Sequence, residues 1–269
     1  MYGKDTRARL GRETVWCQPP ESPWVAAAVL DGSAATARTD LSEFASGSAI
    51  GAAYATARLD TLPDALNIAA LSEAALSRDE FGEMASYTVG IADSDGACEI
   101  RGALVRRFKV KCGVARPALE LALEFVGRTQ TATPAFDRGP AGRPFSFSGS
   151  SMKVGTEVVP GKEFSISVNN NVFTGPAQDD FGAGFITAGR QALTGYIIVA
   201  SDVRHLVDED EHSLEITLPG GEVAAVIRAE AVFFTWCREI RSLAAGGLGV
   251  LYFEGASASL DAGLTIGLS

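Results

Sequence analysis

A succession of extended segments occurs twice along this chain of 269 residues. In each half an alternating strand precedes a short helix, a second strand, a turn, a long strand, another turn and a final strand. Ile100 and Ile227 are each followed by arginine at an offset of 127 (227 − 100), and Phe125 and Phe253 match at 128 (253 − 125). Self-similarity of this kind decides architecture, because each repeat forms one structural unit. The sequence therefore predicts two tandem, related β units.

One strand of the second unit shows the alternation most clearly. Apolar and small polar side chains fall on opposite sides of an extended segment, since side chains alternate with period two. The apolar side holds Phe164, Ile166 and Val168, and the polar side holds Ser165, Ser167 and Asn169. Asparagines 169–171 then end the strand, because asparagine favours turns and tolerates left-handed backbone. The pattern predicts a sheet strand with one buried face and one small, uncharged face.

The predicted fold class is mainly β, with two tandem β-sandwich or half-barrel units that each carry one short α-helix. Residues 33–49 are small and polar and predict a surface loop. A first helix is predicted over 62–76, with Asp60 as N-cap and Pro63 in its first turn. The predicted boundaries are an N-terminal arm at 1–20, a first unit at 21–130, a Pro- and Gly-rich linker at 131–144 and a second unit at 145–269.

The net charge, the lack of long apolar segments and the cysteine spacing exclude several classes of protein. The formal net charge is -10, which argues against wrapping a nucleic acid through phosphate contacts. Met1 to Leu10 lacks the apolar core of a signal peptide, and no apolar run approaches the roughly 18 residues of a membrane helix. The four cysteines show no CxxC spacing, which predicts reduced thiols and assembly in a cytoplasm.

No catalytic, cofactor or metal site is predicted. The two histidines, His205 and His212, lie in a consecutive run of acids whose side chains point in different directions, which is typical of a solvated acidic loop. No phosphate loop, nucleophile elbow or HExxH motif occurs. Glu120 and Glu124 are about 13–14 Å apart along a strand at ~3.4 Å per residue, too far for a glycosidase pair. We therefore expect a protein that is not an enzyme.

A set of segments in a fixed order points to a known family. These segments are Gly11–Trp16, Phe145–Phe147 with Phe164–Asn171, Gly195–Val199, Leu214–Leu218 and Tyr252–Gly255. By them the chain resembles the major tail tube proteins of long-tailed, siphovirus-type bacteriophages, in the group whose subunit carries two fused copies of the tube fold. The likeness covers most of the chain and rests on order and spacing more than on any single motif.

The resemblance implies a structural virion protein, assembled in the host cytoplasm, whose rings stack into a hollow tail tube. Viral DNA would pass through this tube to the host without specific binding, and the tape measure protein would occupy it beforehand. Other implied partners are the tail terminator and distal tail proteins, with no membrane contact. Two fused copies favour a trimeric ring with pseudo-sixfold symmetry over a hexamer.

A lumen that DNA can pass needs a face without cations that collect phosphates. The expected lumen residues are Glu120, Glu124, Ser165, Ser167 and Asn169, although alternation alone also permits these residues to face outward solvent. Contacts between rings are expected from the arm and the 33–49 loop, which have the length and lack their own core. Candidate residues there are Arg9, Arg12, Trp16, Arg38, Asp40 and Glu43.

Two other roles stay open at the level of sequence. A tail terminator, baseplate or needle protein of the same fold would cap a stack of rings instead of polymerising. A β-sandwich module for a carbohydrate or receptor would display aromatic side chains on its loops. The tryptophans Trp16, Trp24 and Trp236 lie in or beside apolar runs, which favours the structural roles.

Overall fold

The computed structural model describes residues 6–21, 24–27, 29, 35–40, 53–93, 96–137, 142–176, 183–201, 203–207, 210–242, 246–255 and 263–269. Strands hold 62% of the described residues and helix 6%, which confirms the predicted mainly-β class. Pairing between the strands is antiparallel throughout the described residues.

The first part of the chain contributes eight strands and one helix, which we call the first set. These are β1 Arg7–Arg12, β2 Val25–Ala27, β3 Ala35–Asp40, β4 Ala53–Thr61, α1 Ile68–Leu76, β5 Tyr87–Asp93, β6 Gly96–Gly113, β7 Arg116–Gly127 and β8 Thr129–Ala132.

The remaining strands begin after residue 150. These are β9 Ser151–Val154, β10 Glu157–Val158, β11 Gly161–Asn169, β12 Val172–Pro176, β13 Ala183–Ala188, β14 Ala192–Val199, β15 His212–Pro219, β16 Ala224–Ser242, β17 Gly246–Gly255 and β18 Leu264–Leu268, with a 3-10 turn at Arg204–Leu206. Strands β12 and β13 form a separate two-stranded sheet, and the other eight strands are called the second set.

The two sets pair their strands in the same order. The first set runs β2-β1-β5-β6-β7-β4-β3, with β8 also on β6, and the second runs β10-β9-β15-β16-β17-β14-β11, with β18 also on β16. Each strand of one set thus has a counterpart in the other. Strand β11 additionally pairs with β6, so that 16 strands form one continuous sheet across both sets. We call this β6·β11 contact the internal seam.

Two β-bulges lie at corresponding places in the long strands β6 and β16. The first lies where Tyr87 and Val89 oppose Ala103 and Ile100, and its counterpart lies where His212 and Leu214 oppose Val232 and Ala229. The second leaves Arg106 out of the β6·β7 register and Thr235 out of the β16·β17 register. A bulge inserts one extra residue at a defined position, so it marks the correspondence between strands.

Both bulges set the offset between β6 and β16 at 129 (229 − 100 and 235 − 106). The offset of 127 that we predicted for Ile100 and Ile227 is therefore wrong by two residues in these strands. The physical reason is the two-residue period of a strand. A shift of two residues keeps every side chain on the same face, so residues of similar type still align in the wrong register. The pair Phe125 and Phe253 does correspond, since these residues oppose Val105 and Phe234.

The core is one contiguous cluster of buried side chains that extends from β1 to β18. Its largest fully buried side chains include Phe108, Phe125, Phe164, Phe234 and Phe253. Helix α1 buries Ile68, Leu71, Ala74 and Ala75 and packs against β6 and β18, so it contacts strands of both sets.

Helix α1 begins at Ile68, six residues later than predicted, and its N-cap is Asn67 instead of Asp60. The Asp64 N–H donates to Asn67 Oδ1 at 3.0 Å, and the Leu66 N–H donates to Asp64 Oδ1 at 2.9 Å. These side chains stabilise a local turn that competes with the first helical turn.

The predicted coreless arm and surface loop both contain sheet strands. Strand β1 lies between β2 and β5, and its Ala8 and Leu10 are buried. Strand β3 pairs with β4 along residues 35–40, whereas residues 41–52 lie outside the described residues. The arginines and small polar residues in and around these short strands conceal them in the sequence, because strand formation here depends on pairing with other segments of the chain.

Candidate functional site

All five predicted lumen residues lie on one face of the continuous sheet. Glu120 of β7 opposes Lys111 of β6, and Lys111 opposes Ser165 of β11. Residues directly opposite in antiparallel strands share a face, and so do alternate residues along each strand. Glu124, Ser167 and Asn169 therefore lie on this same surface, which we call the polar face.

The polar face also carries cations, contrary to the expectation from the sequence. Lys111 Nζ lies 2.7 Å from Glu120 Oε2, and Arg107 Nη1 lies 3.8 Å from Glu124 Oε1. The expectation of a face free of cations is therefore wrong for these strands. Its physical reason is the internal seam, which inserts β6 and its basic residues between β7 and β11.

The row of charged residues on β6 and β7 continues onto the next strand, β4. Arg58 opposes Glu124, and its Nε donates to Asp60 Oδ1 at 3.1 Å. This hydrogen bond raises the pKa of Arg58, so the guanidinium stays charged. We call this part of the polar face the charged sector, which comprises Arg58, Asp60, Arg107, Lys109, Lys111, Glu120 and Glu124. Half-exposed ion pairs contribute at most about 1 kcal/mol each, so their main effect is on the surface potential.

Beyond β11 the same face becomes aromatic. Ser165 opposes Tyr196 of β14, and Tyr196 opposes Tyr252 of β17, with the two rings tilted and their centroids 6.1 Å apart. The Tyr196 hydroxyl donates to Glu163 Oε1 at 2.6 Å. Burial, together with Glu163, raises the pKa of Tyr196 to about 12, which keeps this hydroxyl neutral.

The aromatic part occupies positions that correspond to the charged sector. Ala57 opposes Phe125 and Gly195 opposes Phe253, so the next residues, Arg58 and Tyr196, correspond. By the same registers Tyr252 corresponds to Glu124, and position 236 corresponds to Arg107. We call this part the aromatic sector, which comprises Tyr196, Ile198, Val250, Tyr252 and the position of Trp236.

The predicted inter-ring residues have different surroundings. Arg9 lies against its own chain, because its Nη2 is 2.8 Å from Glu99 Oε1 and its guanidinium lies 4.0 Å from the Trp24 ring centroid and 4.1 Å from that of Phe136. Arg12 Nη1 is 2.8 Å from Glu73 Oε1 at an exposed position.

Trp16 is 36% exposed, with the Arg128 guanidinium 5.1 Å from its ring centroid. Arg38 and Asp40 belong to β3, whose backbone pairing with β4 is described. Glu43 lies outside the described residues. Of these candidate residues, Arg12 and Trp16 are therefore exposed at the surface, while Arg9 is engaged within its own chain.

Glu13 is a buried carboxylate that the sequence did not single out. Its Oε1 accepts hydrogen bonds from the Thr88 hydroxyl at 2.8 Å and the Gly102 N–H at 2.9 Å. Its Oε2 accepts from the Ser86 hydroxyl and the Cys17 N–H, both at 2.8 Å. Gly102 belongs to the first β6 bulge and has a φ of 62°. No local sequence signal identifies this site, because three of the four donors lie more than 70 residues away.

The described residues contain no group of three or more His, Cys, Asp or Glu side chains that could hold a metal ion. His205 Nε2 lies 2.9 Å from Glu157 Oε2 at the surface. Cys17, Cys98 and Cys112 form no disulfide with one another, and burial raises the pKa of Cys112 to about 12. Among the described helices, none has the length and apolar character needed to cross a membrane.

The profile of one protein family, described as phage tail tube protein, matches residues 3–247. The match covers 245 of the 269 residues (247 − 3 + 1), and the chain therefore belongs to the phage tail tube protein family. No curated protein matches the chain significantly. Membership of this family implies a structural role in the phage tail tube, a location in the virion and self-assembly into a tube.

Proposed function

We propose that copies of this chain close into rings, and that the rings stack into the hollow tube through which a siphovirus-type phage delivers its DNA to the host. The observation that carries this proposal is the continuous sheet, in which one pairing order occurs twice and the two sets share the internal seam. A sheet that repeats its own pairing can continue into further copies, and closure into a ring removes the exposed edges that promote aggregation.

In this proposal the two sets are fused copies of one ancestral tube unit. The first unit extends the predicted 21–130 by strands β1 and β8, the rest of the predicted linker 131–144 follows, and the second unit keeps the predicted bounds 145–269. The matching bulges support this origin, because a bulge tends to persist at its position within a family. Three chains then supply six quasi-equivalent positions, so we favour a trimeric ring with pseudo-sixfold symmetry over a hexamer.

The polar face lines the bore in this arrangement. Lys111 and Arg107 lie beside Glu120 and Glu124, so the carboxylates compensate cations that would otherwise collect DNA phosphates. Tyr196 stays neutral and adds no charge. Fields beyond roughly 8 Å are screened at physiological salt, so the charges on the lumen wall dominate what DNA experiences.

A tube in this position in a phage tail would contact three further kinds of tail protein. The tape measure protein would fill the bore before ejection, and the terminator and distal tail proteins would cap the two ends. Ring stacking is a head-to-tail contact that does not close, so it produces a filament. Exposed Arg12 and Trp16 belong to our proposed stacking surface, together with Arg38, Asp40 and Glu43 as sequence predictions. Assembly would take place in the host cytoplasm.

Negative-stain electron microscopy of the purified protein tests this function. We expect hollow tubes of uniform diameter, with rings as their assembly intermediates. Single rings that never stack would instead support the terminator or baseplate role. Monomers under all conditions, with or without tape measure protein, would contradict both roles.

The role of the polar face is tested by phage particles that carry E120Q/E124Q. This change leaves Lys111 and Arg107 without their carboxylates, so we expect normal tubes and several-fold slower genome ejection, with the delay shortened by salt. The matched control is E215Q, which removes a carboxylate 2.8 Å from Arg228 on β15 and β16. Unchanged ejection in E120Q/E124Q, or equal slowing in E215Q, would remove the polar face from the bore.

A further inference from the structure

We propose that the groove between α1 and β18 binds an extended, basic segment of another protein, which pairs as an antiparallel strand with the free edge of β18. We call this feature the helix groove. Both of its walls belong to one chain, so the site goes beyond the proposed tube role and is present in the unassembled subunit.

The helix groove has a volume of about 750 Å³, within the range of about 300–1,000 Å³ that ligand sites occupy. One face of α1 forms the first wall, β18 forms the second, and the loop at 77–82 contributes the rest of the lining together with Glu230. Helix α1 lies on the opposite side of the sheet from the polar face, because its buried side chains belong to the core. A tube whose bore is the polar face therefore carries the helix groove on its outside.

One edge of β18 is free among the described residues. Its other edge pairs with β16, and just beyond its last residue Ser269 and Ala224 exchange both backbone hydrogen bonds at 3.0 and 3.1 Å. Hydrogen-bonded pairs alternate along antiparallel strands, so the N–H and C=O groups of Leu264, Ile266 and Leu268 point away from β16. No described residue pairs with these groups, and Leu264 and Ile266 line the helix groove. Such an edge is a template on which an extended segment adds as a strand.

A buried hydroxyl on the helix wall also lacks a partner. Ser72 is 4% exposed, and its Oγ accepts or donates no hydrogen bond among the described residues. Ser72 and Leu76 lie four residues apart on the face of α1 that lines the groove. A buried hydroxyl without a hydrogen bond destabilises the fold. A bound segment that supplies a backbone group to Ser72 Oγ removes this destabilisation.

The lining of the helix groove is acidic, with four carboxylates against one guanidinium. Glu73 is paired with Arg12 at 2.8 Å, and the Arg78 guanidinium donates to backbone carbonyl oxygens. Glu80 and Glu230 are exposed, and neither has an ion-pair partner among the described residues. A segment that carries lysine or arginine therefore complements the charge of this site.

The alternation along β18 predicts the pattern of the bound segment. Leu264 is buried and Ile266 half-buried, whereas Thr265 and Gly267 are exposed, like Glu230 on the neighbouring strand. Residues opposite each other in adjacent strands share a face. The added strand therefore places apolar side chains beside Leu264 and Ile266 and basic side chains on the exposed face.

This chain itself carries alternating basic and apolar residues at 7–10 and at 107–111. The first segment belongs to β1, which lies between β2 and β5, and the second belongs to β6, which lies between β7 and β11. Both segments are thus already paired on both edges, so we assign the bound segment to another protein.

Fluorescence anisotropy tests the site with the unassembled full-length chain and a labelled peptide that alternates lysine and valine over six residues. We expect saturable binding that weakens about fivefold in E80Q/E230Q, whereas E215Q, which changes a carboxylate on β15, leaves it unchanged. Valines opposite Leu264 and Ile266 direct their N–H groups at β18, so their N-methylation should weaken binding at least tenfold. N-methylation of the lysines, whose N–H groups point away from β18, should weaken it less.

Two pairs of variants test the walls of the groove. I266P removes a free N–H of β18 while its pairing with β16 remains, so it should bind the peptide about tenfold more weakly than I266A. If I266P does not fold, A69W fills the groove from α1, because Ala69 is exposed and lines it. A65W places the same side chain at an exposed position outside the lining and should bind normally.

Absence of saturable binding, equal binding of a glutamate–valine peptide, or equal binding by A69W and A65W would overturn the helix groove as a site of strand addition. Tighter binding of a peptide with the chain's own residues 1–10 would overturn the assignment to another protein, because a second copy would then occupy the groove. Each of these results leaves the tube function standing, since that function is tested separately by assembly of the unsubstituted chain.

Discussion

The charged and aromatic sectors occupy corresponding positions in the two strand sets, yet they differ completely in chemistry. The first set has Arg58, Glu124 and Arg107 in one row across three strands, and the second set has Tyr196, Tyr252 and position 236. Pairing order and bulges are nevertheless the same in both sets. Backbone hydrogen bonds and the buried face thus maintain the sheet, while the opposite face can diverge because its side chains contribute little to stability.

This difference has a consequence for the proposed ring. Backbone positions would repeat six times around it, but the chemistry of the bore would repeat three times, with charged and aromatic sectors alternating. The local elements differ in the same way. Helix α1 has nine residues and contacts strands of both sets, whereas the second set has a 3-10 turn of three residues at the equivalent place in the chain.

The largest expected difference between the sets concerns the first bulge of each long strand. Glu13 accepts four hydrogen bonds at the β6 bulge, whereas Glu230 at the corresponding β16 bulge is exposed. Replacing Glu13 with alanine leaves buried donors unsatisfied and should lower the free energy of unfolding by about 3 kcal/mol. The E230A variant should stay within about 0.5 kcal/mol of the unsubstituted protein. Chemical denaturation of the unassembled subunit measures the free energy of unfolding of both variants. Equal losses of stability in the two would contradict the expected difference between the bulges.

A smaller difference is expected at Ala57 and Gly195, which correspond in β4 and β14. A Cβ at position 195 would clash with the Phe253 ring and lie 2.6 Å from the Ser165 carbonyl oxygen, whereas Ala57 already carries a buried methyl group. Overpacking should make G195A less stable by about 2 kcal/mol, and A57G should cost about 1 kcal/mol. Thermal unfolding of the two variants side by side gives the comparison. If G195A leaves the stability unchanged, position 195 of the second set has the same space for a side chain as position 57 of the first.

The smallest effect is expected at Tyr196, whose counterpart Arg58 stays charged. Y196F removes the hydrogen bond to Glu163 and should cost about 1 kcal/mol below pH 9. In the unfolded chain the Tyr196 hydroxyl ionises near pH 10, whereas in the folded protein its pKa is about 12. The contribution of Tyr196 to the free energy of unfolding is therefore present below pH 10 and is lost as the pH rises towards 12.

The melting temperature of Y196F should therefore fall less steeply between pH 10 and 12 than that of the unsubstituted protein. Tyr87 and Cys112, whose pKa values burial also raises to about 12, retain part of the slope. An R58K variant should keep the full slope, because a change on the charged sector leaves Tyr196 in place. Identical slopes in Y196F and the unsubstituted protein would show that the aromatic sector is freely solvated.

Several elements could be predicted from the sequence because their signals are local. The alternation in Phe164–Val168 predicts a strand with a buried face, and all three apolar side chains are fully buried. The left-handed backbone expected of the asparagines after this strand occurs at Asn171, with a φ of 46°. The start of α1 and the strands β1 and β3 could not be predicted in this way, because side-chain turns and distant neighbours determine them.

The residues of the candidate site were predicted only in part. Glu120, Glu124, Ser165, Ser167 and Asn169 share one face, as alternation requires. Their basic neighbours belong to β6, and no periodicity reveals that this predicted long strand lies between β7 and β11. Glu13 was missed for the same reason, since its hydrogen-bond donors come from other strands.

The amino-acid sequence alone determined the strand faces, the β-rich class and the repeated order of elements, because period-two alternation and turn residues act over a few neighbouring positions. The tertiary structure decided which strands are adjacent, where the bulges lie and which charges face each other across the polar face. These properties depend on hydrogen bonds between strands, some of them 50 or more residues apart such as β6 and β11, and local preferences carry no information about which strands pair or in which register.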